Sequence, residues 1–141
     1  MGLQASGKST FYRERFFRSH LRINLDMLRT RHREWRFFQL CLETGQPLVI
    51  DNTNPARADR ARYIGPVRAA GFRVVGYFFR SRLSEALARN ALREGPERIP
   101  DAGLRRAQAR LERPSREEGF DELYHVSLLT PAGFSVREWE A

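Results

Sequence analysis

Met1-Gly2-Leu3-Gln4-Ala5-Ser6-Gly7-Lys8-Ser9-Thr10 opens the chain, and Gly2-x-x-x-x-Gly7-Lys8-Ser9 within it is a complete phosphate-binding loop pattern. Each position has a physical reason. Glycines such as Gly2 and Gly7 let the backbone curl until consecutive N–H groups, from Ala5 through Thr10, point into one anion-sized hollow. The helix that follows adds its unpaired N-terminal donors and the positive end of its dipole. Lys8 is a point charge for β- and γ-phosphates, and the Ser9 hydroxyl is a ligand for Mg²⁺. A helix-like run with Phe11, Phe16 and Phe17 follows at once, which separates this pattern from a flexible Gly/Ser lead.

Composition agrees. The chain has 25 Lys+Arg, of which Lys8 is the single lysine and the remaining 24 are arginine. A chain so biased keeps lysine where the loop needs a compact ammonium rather than a planar fork. The net charge of +8 attracts polyanions. The arginines are scattered rather than blocked, so the charge supports an anionic substrate without singling out nucleic acid. At 141 residues, 41% hydrophobic and 30% charged, this reads as one folded domain. No apolar run approaches the ~20 residues of a membrane span, and no secretory leader is visible. The single cysteine, Cys41, falls in an apolar helical pattern and reads as a core thiol. A cytoplasmic location with no membrane partner is the expectation; the oligomeric state is left open.

Working outward from the loop, helix one is expected from Gly7 to Ser19, and a short strand over Leu21–Asn24. Helix two runs from Asp26 to Thr44 on a stripe of Leu28, Trp35, Phe38 and Leu42. Leu48-Val49-Ile50 is a buried parallel strand ending at Asp51. Asn54-Pro55 reads as an N-cap with proline at the first helical position, opening a helix to Ala70. Arg73–Phe79 is the next strand, and Ser84 starts a helix to about Arg93, broken by Gly95-Pro96. Pro100-Asp101 opens a helix to Glu112, Ser115-x-x-Glu118 is a capping box, and Leu123–Leu129 is a last strand. Residues 1–129 form the kinase-sized domain, and 130–141 is a tail without clear signal. The fold class is α/β, a P-loop NTPase three-layer arrangement with a mostly parallel sheet. Only Met1 precedes Gly2, so the first, central strand that normally delivers such a loop is lacking. The reading frame is expected to supply about five to eight apolar residues ahead of it.

In parallel sheets ligands collect at the carboxyl ends of the strands, where the loop, Asn24, Asp26 and Asp51 all fall. Asp51 there serves either the Mg²⁺ shell or the cap of the next helix, and the loop favours the metal. Asp26 is placed to accept a hydroxyl proton near a γ-phosphate, with Arg29 on the same helical face; an N-cap beside an exposed arginine is the alternative. Arg89 and Arg93, four apart, form either a lid that brings guanidinium groups onto the transferring phosphoryl or a solvated face shared with Glu85 and Glu94.

The ordered set Ile23-Asn24-Leu25-Asp26-x-x-Arg29, Ile50-Asp51-Asn52-Thr53-Asn54-Pro55 and Arg89-Asn90-x-x-Arg93 resembles the kinase domain of 5′-polynucleotide kinases, of both the phage type and the animal kinase–phosphatase. Asp51 to Gly71 and Pro114 to Phe120 are similar to the animal enzymes in particular. The resemblance implies that Asp26 is the general base on a 5′-hydroxyl of DNA or RNA and that Arg29 contacts the neighbouring acceptor phosphate. It implies that Arg89 and Arg93 are lid arginines on ATP. Leu25 stands where the family usually has arginine, and no Asp-x-Asp-x-Thr/Val phosphatase signature is present. The expected function is therefore ATP- and Mg²⁺-dependent phosphoryl transfer, with Lys8, Asp26, Arg29 and Arg93 catalytic. The alternatives are a small-molecule kinase acting on a sugar, nucleoside or nucleotide sugar, and an ATP-binding module without turnover.

Overall fold

A computed structural model describes residues 1–140. Its strands are β1 (Leu21–Ile23), β2 (Leu48–Ile50), β3 (Val75–Phe79), β4 (Glu122–Leu128) and β5 (Phe134–Glu138). The helices are α1 (Lys8–Arg15), α2 (Leu25–Leu28), α3 (Arg31–Thr44), α4 (Arg57–Ala69), α5 (Leu83–Ala91) and α6 (Asp101–Ala109). The alternation gives the expected α/β fold with mainly parallel pairing: β1 lies parallel to β2, β3 parallel to β4, and only β5 runs antiparallel, along β4.

The sheet comes in two parts, β1-β2 and β3-β4-β5. Among the described residues no ladder joins β2 to β3. Met1 and Gly2 span the break as a short extended stub. The Met1 amino group donates to the Tyr77 carbonyl at 2.9 Å. The Phe79 N–H donates to the Met1 carbonyl at 2.9 Å, and the Gly2 N–H donates to the Thr53 carbonyl at 3.0 Å. Met1 and Gly2 thus link the two parts of the sheet at one end.

Three apolar clusters fix the elements around the loop. Leu3 packs with Ala86 and Leu104, so α5 and α6 sit on the loop. Phe11 of α1 packs edge-on to Phe79 and Phe134, with Val126 completing the group. Phe78, Leu123 and Trp139 form the third. Arg60 is the main buried cation of α4. It pairs with Glu118 through two hydrogen bonds, at 2.6 and 2.8 Å, and also donates to the carbonyls of Asn54, Pro55 and Glu112. A buried charge is tolerable only with such full pairing.

Several expectations need correction. Helix one ends at Arg15 rather than Ser19, and Phe17 is 69% exposed, outside the core. The helix expected over Asp26–Thr44 is two helices. Arg29 adopts a left-handed φ of 72°, and Thr30 starts α3 by accepting the Arg33 N–H on its hydroxyl at 3.2 Å. A local side-chain acceptor of this kind competes with helix continuation. Asn54, at φ 42°, is not an N-cap; the first turn of α4 is closed instead by the Asp59 carboxylate, which accepts the Ala56 N–H. The stretch 130–141, where the sequence carries no signal, supplies β5 and the core residue Trp139. The Ser115–Glu118 capping box is present, closing a single 3₁₀ turn.

His125 on β4 stacks on Trp139 with ring centroids 4.0 Å apart and planes 14° apart. Burial, then the nearby Arg113 and Arg80, lowers its pKa below the ordinary 6.5, against a smaller opposing pull from Glu140. The unfolded chain therefore binds this proton more readily than the folded one. Stability from this site is present above the ordinary value and is lost as pH falls through it. The unfolding midpoint should drop between about pH 7 and about pH 5, and His125→Phe, which keeps the stacking, should reduce that drop. Identical pH slopes for the two proteins, measured by thermal melts, would remove His125 from the account.

Candidate active site

The site is assembled at the carboxyl ends of β1 and β2. Gly2 must be glycine: its φ is 140°, and a Cβ there would lie 2.8 Å from the Phe79 carbonyl oxygen. Ala5 takes φ 58°, and Gly7, at φ 92°, turns the chain into α1. The buried Ser6 hydroxyl donates to the Leu3 carbonyl at 2.7 Å and ties the loop closed. The Lys8 ammonium folds back over the loop onto the carbonyls of Gly2, at 3.0 Å, and Leu3, at 2.5 Å. Burial brings its pKa down from 10.5 to about 8; Asp51 and Asp26 counter this, and Arg93 adds to it. An anion in the loop would supply the missing counter-charge.

The Ser9 hydroxyl donates to Asp51 Oδ2 at 3.1 Å, across 42 residues of sequence. Mg²⁺ takes hard oxygen ligands and keeps several waters, and this hydroxyl–carboxylate pair fits it. Among the described residues no three His, Cys, Asp or Glu side chains cluster, so phosphates and water must complete such a shell. Arg22 on β1 already bridges the pair. Its Nε donates to Asp51 Oδ2 at 2.8 Å and its Nη2 donates to Ser9 Oγ at 3.0 Å. A guanidinium thus supplies positive charge to the two groups that would bind the cation.

A cavity of about 520 Å³ opens beside these groups. It is lined by Ala5 to Thr10, by Asp26 and Asp51, and by Arg93 from the segment after α5. Arg31, Arg62, Arg106 and Arg110 join them, from α3, α4, α6 and the residue that ends α6. None of these four was singled out from the sequence, because in a chain with 24 arginines spacing alone does not mark them. Gln4 also lines this cavity, and its Oε1 is buried without a hydrogen-bond donor.

Two expected residues stand elsewhere. Arg29 is exposed beyond the cavity lining, turned away by the left-handed backbone that ends α2. Arg89 donates to the Ala5 carbonyl and to Ser81 Oγ, both at 2.5 Å, so it braces the loop from behind. Asp26 is not a helix cap; Asn24 is, accepting the Met27 N–H on Oδ1 at 2.9 Å while donating to the Asp51 carbonyl at 2.5 Å. Asn52 Oδ1 accepts the Leu25 N–H, and its amide donates to Glu34, a carboxylate only 1% exposed that also accepts from Tyr63 and Arg31. This network fixes the start of α2, and with it Asp26, against the end of β2.

Residues 29–114, more than half of the chain, match the family described as AAA domain. The chain belongs to the AAA domain family. Its fold is the α/β P-loop kinase-like fold. This AAA domain is similar to the bifunctional polynucleotide phosphatase/kinase of Schizosaccharomyces pombe, 27% identical over 132 residues that cover 89% of the chain. It spans about a third of that protein's length, 32%. Among solved structures it is similar to a gluconokinase from Sinorhizobium meliloti 1021, with a TM-score of 0.65 and 19% identity, covering 93% of this chain and 81% of that one. Both relatives are kinases by name. No helix among the described residues is long and apolar enough to cross a membrane.

The Arg22 bridge makes a prediction for magnesium. A divalent cation held by Ser9 and Asp51 would have to displace the guanidinium from both. Arg22→Gln should lower the Mg²⁺ concentration that half-saturates its effect on ATP binding, by several-fold, while modestly lowering the melting point because Asp51 loses its partner. Calorimetric ATP titrations at stepped Mg²⁺ measure it, and an unchanged or higher Mg²⁺ requirement would contradict the competition.

Proposed function

We propose that the protein is an ATP-dependent kinase that transfers the γ-phosphoryl group to a hydroxyl, with a 5′-OH of DNA or RNA as acceptor. The observation that supports this most is the joint lining of one cavity by Lys8, Ser9, Asp51, Asp26 and Arg93. In this reading the backbone donors of Ala5 to Thr10 hold the β- and γ-phosphates, and the Lys8 ammonium leaves the loop carbonyls for them. Ser9 and Asp51 would hold Mg²⁺, which when bound would neutralise phosphate charge.

Asp26 then accepts the proton of the acceptor hydroxyl. The hydroxyl oxygen bonds to the γ-phosphorus, the bond to the β–γ bridging oxygen breaks, and ADP leaves. Arg93 stabilises the charge that develops on the transferring group. Arg89 acts one step removed, by bracing Ala5 and therefore the loop. Arg31, Arg62 and Arg106 suit the phosphates of a polymeric acceptor, since guanidinium forks match phosphate geometry. Arg29, outside the cavity, is reserved for acceptors long enough to leave it. The polynucleotide kinase relative supports the same acceptor class, and a cytoplasmic enzyme fits the chemistry.

The likeness to a gluconokinase favours a second reading, a small hydroxyl compound as acceptor in the same cavity. The two readings separate kinetically. With γ-labelled ATP, a 5′-OH oligonucleotide should be phosphorylated in preference to the matching nucleoside and to a sugar acid. Arg62→Ala and Arg106→Ala should lower kcat/KM for the oligonucleotide by about tenfold, the scale of one charge-assisted contact, and leave the nucleoside unchanged. Equal losses on both, with the sugar acid as best substrate, would favour the small-molecule reading. No transfer to any acceptor would favour an ATP-binding module.

Asp26→Asn tests the base. Asn24 rather than Asp26 caps α2, so stability should change by less than ~1 kcal/mol. Transfer should fall by a factor of roughly 10² or more with ATP binding retained. Full activity in that variant would end the assignment.

A further inference from the structure

Arg93 reaches the phosphate cavity from the stretch 92–98, between α5 and α6. Packing does little to hold this stretch. Leu92 is 84% exposed, and Arg93 is the one residue from Leu92 to Arg98 that is not exposed. Its regular structure is a single 3₁₀ turn, Gly95–Glu97. Its hydrogen bonds are local. The Leu92 N–H donates to the Arg89 carbonyl, and the Arg98 N–H to the Gly95 carbonyl. The Arg93 guanidinium donates from Nη1 to the Glu97 carbonyl at 3.2 Å. A stretch held by such contacts alone would leave the guanidinium many places to sample.

One buried side chain closes it. Asn90, the penultimate residue of α5, is wholly buried. Its Nδ2 donates to the Ile99 carbonyl at 2.7 Å, and its Oδ1 accepts the Ile99 N–H at 3.1 Å. The carboxamide thus pairs with both main-chain groups of one residue, as a residue on a neighbouring antiparallel strand would. The Asn90 main-chain carbonyl accepts the Arg93 N–H at 3.1 Å. Asn90 therefore holds the far end of the stretch through its side chain and Arg93 through its backbone. Ile99 is anchored in turn, packed on the cluster that contains Leu3 of the phosphate-binding loop. A leucine would fill much the same space as Asn90, but it would leave the Ile99 N–H and C=O without these partners. Two roles fit these contacts. Sealing α5 to α6 alone would show as stability, whereas placing Arg93 would show as chemistry.

We propose that Asn90 is a positioning residue for Arg93, its carboxamide closing the stretch 92–98 onto Ile99 so that the Arg93 guanidinium is held at the phosphate cavity. Arg93 keeps the role given it above, stabilising charge on the transferring phosphoryl group, and the role of Asn90 rests on that reading. A guanidinium fixed before the reaction does not have to be ordered during it, and small misplacements of such groups cost rate steeply. ATP itself is held by the donors of the phosphate-binding loop and by Lys8. Asn90 therefore contributes to turnover and little to ground-state binding. Arg89, one residue earlier, serves the loop; Asn90 serves the arginine.

Asn90→Leu, Arg93→Ala and the double variant are compared with the wild type in two measurements. The first is steady-state transfer from γ-labelled ATP. Asn90→Leu should lower kcat by about tenfold or more and leave KM for ATP nearly unchanged. In the Arg93→Ala background the same substitution should cost no more than about twofold further. Losses that multiply in the double variant, or a wild-type kcat in Asn90→Leu, would overturn the inference. The second measurement needs no turnover: calorimetry reads how far aluminium fluoride, a mimic of the transferring phosphoryl group, tightens ADP binding in the presence of Mg²⁺. Both single variants should lose the tightening. Loss in Arg93→Ala alone rejects the part given to Asn90 and leaves the kinase reading standing. Tightening that survives Arg93→Ala, or is absent from the wild type, rejects the reading of Arg93 and the role of Asn90 with it. Thermal melts check the fold. If Asn90→Leu does not fold, Asn90→Ser goes through the same comparisons. Failure of both to fold overturns the inference, because Asn90 is then spent on the fold.

Discussion

Gly2 carries the constraint on which the remaining structure depends. It lies against Phe79 so closely that any side chain would strike the strand, and its N–H is spent on Thr53 across the break. One residue thus ties β3 to the segment after β2 and starts the phosphate-binding loop. The loop's position relative to Asp51 follows, because Thr53 and Asp51 belong to the same segment leaving β2. Leu3, next in line, is buried under α5 and α6, which brings Arg93 to the cavity and lets Arg89 support Ala5. A short piece of backbone sets both the sheet and the chemistry.

Asp51 is the second point of convergence. Its carboxylate meets Ser9 and Arg22, and its carbonyl meets Asn24. The next residue, Asn52, holds Leu25 and is held in turn by the buried Glu34. The loop, the Ser9–Asp51 pair and the helix bearing Asp26 are therefore linked by short hydrogen bonds rather than by packing alone. Networks of this kind are costly if half-satisfied, which gives a physical reason for Tyr63 and Arg31 to cap the Glu34 carboxylate. Arg22 fits the same logic, since its guanidinium pairs with the Asp51 carboxylate.

Much of the fold was legible in sequence because its signals are local. Gly7 before a helical run, the compact apolar Leu48–Ile50 and the capping box at Ser115 each declare their own structure. The break at Arg29 and Thr30 was missed because a continuous apolar stripe outweighed one hydroxyl that could cap. β5 was missed because the alternation of Phe134-Ser135-Val136-Arg137 is short and its pairing to β4 is a contact invisible to local patterns. For the site, the loop residues, Asp26 and Asp51 meet in one cavity as their places at strand ends suggested, and Arg93 joins them from the segment after α5. Arg22, Arg62 and Arg106 did not stand out, because their meaning comes from three-dimensional convergence in a chain full of arginine. Arg89 carried the right spacing but spends its guanidinium on the loop backbone.

The central claim is that the first ten residues form a working triphosphate site with Lys8 as its charge. Equilibrium binding of ATP, ADP and adenosine to the 141-residue protein and to Lys8→Ala, by calorimetry at fixed Mg²⁺, tests it most directly. The account predicts affinity that grows with phosphate number in the wild type, no measurable binding of adenosine at the same concentrations, and loss of the phosphate dependence in Lys8→Ala. ATP binding of equal strength in both proteins, or adenosine binding as tightly as ATP, would contradict it.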